Sequence, residues 1–303
     1  MKVLSSNQNP QWDRWLYRIG CPVWGCRTWT DSVYPKGTSA DAILGWYSRM
    51  FPTVEGNSTF YAVPPAETFQ KWRNGSAETF RFSFKFPRRI SHDLKLTQCD
   101  HERKEWLARL EILRDAGRLG PTFLQLPPSF SFRYYPQLKA FLHQLPRDWP
   151  WAVEVRHLDW FDEGDQEAQL DDLLQSLGID RVLFDSSPLN ALEATDASEE
   201  ASQKRKPKSP FRTSITGKRP MLRLIGRNCF TEVEASWRQW SQIIANWISD
   251  GYEPWIFTHA PDDTYAPALA RMLHEMIRSQ LPELPELPKM ETASTMKQLR
   301  LFD

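Results

Sequence analysis

Eight short apolar segments, most of them followed by a stretch with helical spacing, restrict most strongly what this chain can fold into. The segments are Tyr17–Trp24, Thr53–Asn57, Arg81–Phe86, Pro121–Leu126, Trp151–Asp162, Arg181–Ser186, Met221–Gly226 and Pro254–His259. Amphipathic runs separate or follow them at Asp41–Phe51, Ala66–Arg73, Asp100–Ala116, Pro136–Gln144, Leu170–Leu177, Ala235–Ile248 and Ala266–Arg278. Strand and helix alternating over about 260 residues predict an α/β fold, a single (β/α)8 TIM-like barrel. An open doubly wound sheet would carry a Gly-rich phosphate turn after an early strand, and the sequence has none. Within Arg81–Phe86 (RFSFKF) charged or small residues alternate with aromatics, as a half-buried strand requires.

Formal net charge is zero, so no whole-molecule field draws the chain to nucleic acid or acidic membranes. Any such contact needs a local patch. No run approaches 18 apolar residues, which predicts no membrane span. The first residues lack the apolar core of a secretory signal, and the expectation is a cytoplasmic protein. Cys21, Cys26, Cys99 and Cys229 fit no common zinc spacing and read as reduced thiols.

Two termini and one insertion fall outside the strand–helix rhythm. Residues 1–16 read as a loose arm before a barrel of residues 17–280. Residues 188–220, between the sixth and seventh strands, are rich in Ser, Lys, Arg and Pro without apolar period, which predicts disorder or a flexible, mobile flap. Residues 281–303 open with Pro282, Pro285 and Pro288 and read as a flexible tail.

Several motifs in fixed order carry a family resemblance. They are Tyr34-Pro35; Thr53-Val54-Glu55-Gly56-Asn57-Ser58-Thr59-Phe60-Tyr61; Phe82-Ser83-Phe84-Lys85-Phe86-Pro87 with Ile90-Ser91-His92; Leu124-Gln125-Leu126-Pro127-Pro128-Ser129-Phe130; Glu154-Val155-Arg156-His157 with Trp160-Phe161; and Ala266-Pro267. Over residues 17 to 279 the chain resembles the YecE-like family, domain of unknown function 72. The resemblance implies a TIM-barrel-like fold and supplies no reaction, although the family has been likened to sugar isomerases. The chain departs from the family pattern at Thr258-His259-Ala260, where many members have paired Asn, and in its long insertion and extra tail.

A barrel builds its site at the C-terminal strand ends. Those ends supply Glu55, Lys85, Glu154, Arg156 and His157 as catalytic candidates. Trp24, Asn57, Tyr61, His92, Gln125, Trp160 and Arg223 are candidates for substrate contact. Glu55 and Glu154 as opposed carboxylates would suit acid–base work on a sugar-like or sugar-phosphate moiety, glycoside hydrolysis included. Ion pairing that merely fixes the mouth fits the same residues. Glu154, Asp185 and His259 would suit a divalent metal, as in a metal-dependent isomerase or a nuclease-like enzyme. Lys85, once desolvated, could form a Schiff base or anchor an anion. Side-chain alternation places Glu154 and Arg156 on one strand face and His157 on the other.

The last residues, Gln298-Leu299-Arg300-Leu301-Phe302-Asp303, are similar to the peptide with which bacterial replication and repair proteins dock on the DNA sliding clamp. Gln298, Leu299, Leu301 and Phe302 would make that contact. Lys204, Arg205, Lys206 and Lys208 in the insertion could track a phosphate backbone. The sequence therefore supports a hydrolase, isomerase or lyase of the barrel type, a DNA-processing enzyme brought to the clamp, or a non-catalytic adaptor of that clamp.

Overall fold

The computed structural model describes residues 12–289. Its strands are β1 (Arg18–Cys21), β2 (Thr53–Gly56), β3 (Arg81–Phe84), β4 (Thr122–Gln125), β5 (Trp151–Glu154), β6 (Asp180–Asp185), β7 (Met221–Ile225) and β8 (Trp255–His259). They lie in the order β3-β2-β1-β8-β7-β6-β5-β4, and every paired neighbour is parallel. Bridges Phe82–Leu119 and Lys85–Phe123 bring the two end strands together. A Phe86 N–H to Phe123 carbonyl bond of 3.0 Å and the Ser83 hydroxyl on the Pro121 carbonyl reinforce the seam. The result is the nearly closed eight-stranded barrel that the alternation predicts.

Around it run α1 (Ala40–Met50), α2 (Ser58–Tyr61), α3 (Ala66–Gly75), α4 (Asp100–Arg114), α5 (Tyr135–Leu142), α6 (Asp165–Leu177), α7 (Ser187–Ala191), α8 (Ala197–Arg205), α9 (Phe230–Ser249) and α10 (Ala266–Arg278). Helix α10 shows why they dock. Ala266, Leu269, Ala270, Leu273 and Ile277 recur at helical spacing and are all fully buried. Each large one contributes about 1.5–3 kcal/mol by leaving water, and Leu273→Ala would cost about 2–5 kcal/mol. Helix α6 stops at Gly178, whose φ of 64° closes the last turn through bonds to the Gln175 and Leu174 carbonyls.

The strand period sorts side chains between lumen and helices. In β3, Phe82 and Phe84 face outward onto Trp72, and Phe84 also onto Phe69 and Trp106. Ser83 and, just beyond the strand, Lys85 take the other face. Inside, Phe123, Ala152, Val182, Met221, Trp255 and Phe257 form one buried cluster that plugs the barrel. Gly20 keeps β1 close to β2, since a Cβ there would lie 2.1 Å from the Thr53 carbonyl oxygen.

Three expectations need correction. The end of the N-terminal arm is not loose: Trp12 is fully buried, with its indole N–H on the Ser48 carbonyl at 2.9 Å. The start of the tail is not free either. Leu284 and Leu287 are buried, the Leu284 carbonyl accepts from Arg278, and the Pro285 carbonyl contacts His274. The insertion is folded, because its acids serve as caps and ion pairs. Asp196 caps α8, and Glu199 is buried on Arg227 at 2.8 Å. Arg212 ties the distal part to Glu167 of α6 at 2.9 Å.

Candidate active site at the barrel mouth

Register decides which strand ends share the lumen. Arg223 lies beside Phe257, and two residues on, Ile225 lies beside His259; Gln125 lies beside Glu154. Arg223 also lies beside Phe184, so Asp185 must face away. The structure accordingly brings Glu55, Asn57, Gln125, Glu154, Arg156, Arg223 and His259 together over the plug.

Arg223 is the hub. Its Nε and Nη2 donate to Glu55 at 2.8 and 2.7 Å, and its Nη1 donates to Glu154 at 2.6 Å. Arg156 Nε and Gln125 Nε2 each donate to Glu154 Oε1 at 2.7 Å. Asn57 Nδ2 donates to Glu55 Oε1 at 2.7 Å, and His259 Nε2 lies 3.3 Å from Glu55 Oε2. The Arg223 guanidinium sits 5.1 Å over the Phe123 ring and 5.5 Å over Phe184. Burial disfavours both carboxylates, yet Arg223, with His259 at Glu55 and Arg156 at Glu154, outweighs it. Glu55 is held well below the ordinary range and Glu154 is pulled down to about 2.

That pairing bears on the acid–base expectation: one guanidinium holds both carboxylates, and each lies below the ordinary carboxylate range. They form the charged floor of the mouth.

Lys85 is different. Its backbone is hooked to α2, because the Thr59 hydroxyl donates to the Lys85 carbonyl at 2.7 Å. Its Nζ stands 3.5 Å over the Phe60 ring of α2. The residue is buried, 8% exposed, and among the described residues it has no ion pair. Burial, with the positive charges of Arg223 and Arg156, pushes the amine down to about 7, although Glu154 and Glu55 favour its protonated form. His92 meets the edge of the same Phe60 ring at 4.9 Å and bonds the Ser91 hydroxyl at 2.8 Å. Burial and Lys85 take His92 down to about 4. Tyr61 is exposed at the rim beside Phe60.

Other expected site residues do structural work. The ring of His157 accepts from the Asp159 N–H at 3.1 Å, capping the turn Leu158–Phe161, away from Glu154. Trp160 is fully buried, with its indole on the Phe130 carbonyl at 2.7 Å. Trp24 packs edge-on to Trp72 and Phe82, on the helix side of β3. Asp185 accepts from Trp240 and Ser187 outside the barrel, so Glu154, Asp185 and His259 do not converge as metal ligands. Among the described residues no three His, Cys, Asp or Glu side chains are grouped to hold a metal.

The basic insertion is not a free cationic arm. Lys204 pairs with Glu200, Arg212 with Glu167, and Lys218 and Arg219 with Glu253. Arg205 and Lys208 remain exposed. Lys206 turns toward the mouth, where its charge faces Arg223, Glu55 and Asp263. The peptide Gln298–Phe302 lies outside the described residues.

Reading strand ends alone missed Phe60 and Asp263. Phe60 lies in the one-turn helix α2 and Asp263 in the loop after β8, where no strand period signals orientation. Asp263 has φ 65°, its carbonyl receives the Trp29 indole N–H at 3.0 Å, and burial raises its carboxyl to about 6.

Comparison with known proteins agrees with this architecture. A family model described as "Protein of unknown function DUF72" matches residues 18–292. The UPF0759 protein YecE of Escherichia coli (strain K12) is 38% identical over 265 residues, 88% of this chain and 94% of that protein. The UPF0759 protein YunF of Bacillus subtilis (strain 168) is 32% identical over 149 residues, 47% of this chain and 51% of that protein. A solved DUF72 family protein of Thermotoga maritima superposes with a TM-score of 0.63 at 21% identity, covering 88% of this chain and 99% of that one. One from Enterococcus faecalis gives 0.64 at 18% identity, covering 89% and 98%. Among the described residues no helix is long and apolar enough to cross a membrane.

Proposed function

The chain belongs to the DUF72 family, and from that premise we propose that it is an enzyme acting on a carbonyl-bearing sugar or sugar phosphate through the amine of Lys85. The observation that carries this reading is a buried lysine with no ion pair among the described residues, its amine pushed down to about 7 above an ionised floor. A large fraction of such an amine is unprotonated and nucleophilic at neutral pH.

In this reaction the Lys85 nitrogen adds to the carbonyl carbon and the carbonyl oxygen takes up a proton. Loss of water then gives the imine. Arg156, whose Nε bonds Glu154, supplies fixed positive charge toward the oxygen as it becomes negative. The imine acidifies the adjoining C–H or weakens the adjoining C–C bond, which suits an isomerase or a lyase. Incubating the full-length protein with a triose or triose phosphate and borohydride tests this. The expected product is a reduced adduct on Lys85, found by peptide mass spectrometry. Adducts spread over exposed lysines and absent from Lys85 would refute the reading.

Clamp docking is a separate proposal, supported by the sequence Gln298-Leu299-Arg300-Leu301-Phe302. It would set where the enzyme works and leaves the chemistry at Lys85 unchanged.

A further inference from the structure

We infer that Lys206, carried over the barrel mouth by the β6–β7 insertion, anchors an anionic group of the substrate, a phosphate or a carboxylate. The inference rests on the reading of the mouth as a substrate site and adds the substrate's charge.

The path of the insertion places this residue. Ser186, directly after β6, donates its hydroxyl to the Pro207 carbonyl at 2.7 Å, and the Lys206 N–H bonds the Ser202 carbonyl at 2.8 Å. The Ser186 bond thus holds the residue after Lys206 at the C-terminal end of β6, and the Ser202 bond makes Lys206 the C-cap of α8. Helix α8, which leads to it, is fixed by Glu199, whose carboxylate accepts from Arg227 Nη2 at 2.8 Å and the Asn228 N–H at 2.8 Å. Beyond it, Arg212 holds Glu167 and the Phe161 carbonyl. An insertion fastened on both sides presents one lysine inward, while Lys204 and Lys208 stay exposed.

Charge matching within the mouth gives Lys206 its role. Arg223 and Arg156 together offset Glu55 and Glu154. Lys85 and Lys206 are left against Asp263 alone, and neither lysine forms an ion pair among the described residues. Burial lowers the Lys206 amine to about 8, with Arg223 adding to the effect and Glu55 and Asp263 opposing it. A half-buried ammonium that forms no ion pair among the described residues, and is offset only at a distance by Glu55 and Asp263, favours a ligand that brings negative charge. Lys206 comes from the β6 side of the mouth and Lys85 from the β3 side, and the proposed substrate spans them. Its carbonyl would sit at Lys85 and its oxyanion at Lys206.

The test is binding of inorganic phosphate and of acetate to the full-length protein, followed by calorimetry in wild type, Lys206→Met and Lys208→Met. Free phosphate forms no imine, so this readout is independent of whether Lys85 traps a carbonyl. The expected result is saturable binding of one of the two anions, weakened at least about tenfold in Lys206→Met and within about twofold of wild type in Lys208→Met. Whether phosphate or acetate binds more tightly identifies the group. Equal affinity in wild type and Lys206→Met would overturn the inference. So would binding of a DNA oligonucleotide without binding of either small anion, which would return the insertion to a nucleic-acid role.

Discussion

Arg223 donates paired hydrogen bonds to Glu55, at 2.8 and 2.7 Å, and so joins the seventh and second strands through the barrel interior. Its third bond, to Glu154, reaches the fifth strand. One guanidinium thus joins two buried carboxylates, which Arg156 and Gln125 at Glu154 and Asn57 at Glu55 further satisfy.

Arg223→Met is expected to destabilise the fold by about 3–5 kcal/mol at neutral pH, measured by urea unfolding. Without the guanidinium the largest charge opposing burial is gone, and the folded-state values of Glu55 and Glu154 rise from where Arg223 holds them. The stability difference from wild type should therefore shrink as pH falls toward 4 and the freed carboxyls take up protons. A difference of less than about 1 kcal/mol at pH 7 would mean that the pairing contributes little.

Asp180, at the start of β6, is buried with one oxygen on the Arg219 N–H at 2.7 Å, and burial raises its carboxyl to about 7. The folded chain holds this proton more tightly than the unfolded one. That contribution is complete below about 4 and is lost as pH rises through about 7. Asp180→Asn keeps the acceptor and removes the titration. Its stability advantage over wild type should grow between pH 4 and 7, reach about 1–3 kcal/mol, and stay level above. Thermal melts across that range give the slope; a pH-independent difference would show that Asp180 ionises normally.

Glu199 anchors the insertion through Arg227, Thr195 and Asn228. Glu199→Ala should free α8 and the following turn, accelerating tryptic cleavage after Lys204 or Arg205 at least about tenfold in the folded protein. Cleavage at the wild-type rate would indicate that other contacts hold the segment.

For the clamp proposal, a pull-down of bacterial sliding clamp by the full-length chain should recover it. The same chain lacking residues 298–302 should lose that recovery. Equal recovery from both would end the proposal.

The fold was legible because strand alternation is a strong physical signal. The polar residues of Arg81–Phe86 point inward and its rings meet the helices, as the RFSFKF pattern implies. Glu55, Gln125, Glu154, Arg223 and His259 were found from strand ends because period and register act together there. Asp185 shows the limit: it also ends a strand, but alternation turns it onto Trp240. Trp160 and His157 follow the strand, where a turn and its cap override any period. The insertion looked disordered because its stabilising contacts are long-range ion pairs, such as Glu199 with Arg227 and Arg212 with Glu167, which composition does not reveal. Lys206 belongs to the same class: Arg205 and Lys208 on either side of it are exposed, and only the tertiary path turns it inward.

The central claim concerns the Lys85 amine, and competitive acetylation across pH reads it most directly. The folded protein is labelled with a trace of acetic anhydride from pH 5 to 11, and the extent at Lys85 is followed by peptide mass spectrometry. Lys85 should show half of its maximal reactivity near pH 7, well below the ordinary lysine value of about 10.4. A Lys85 midpoint near 10 would contradict the account.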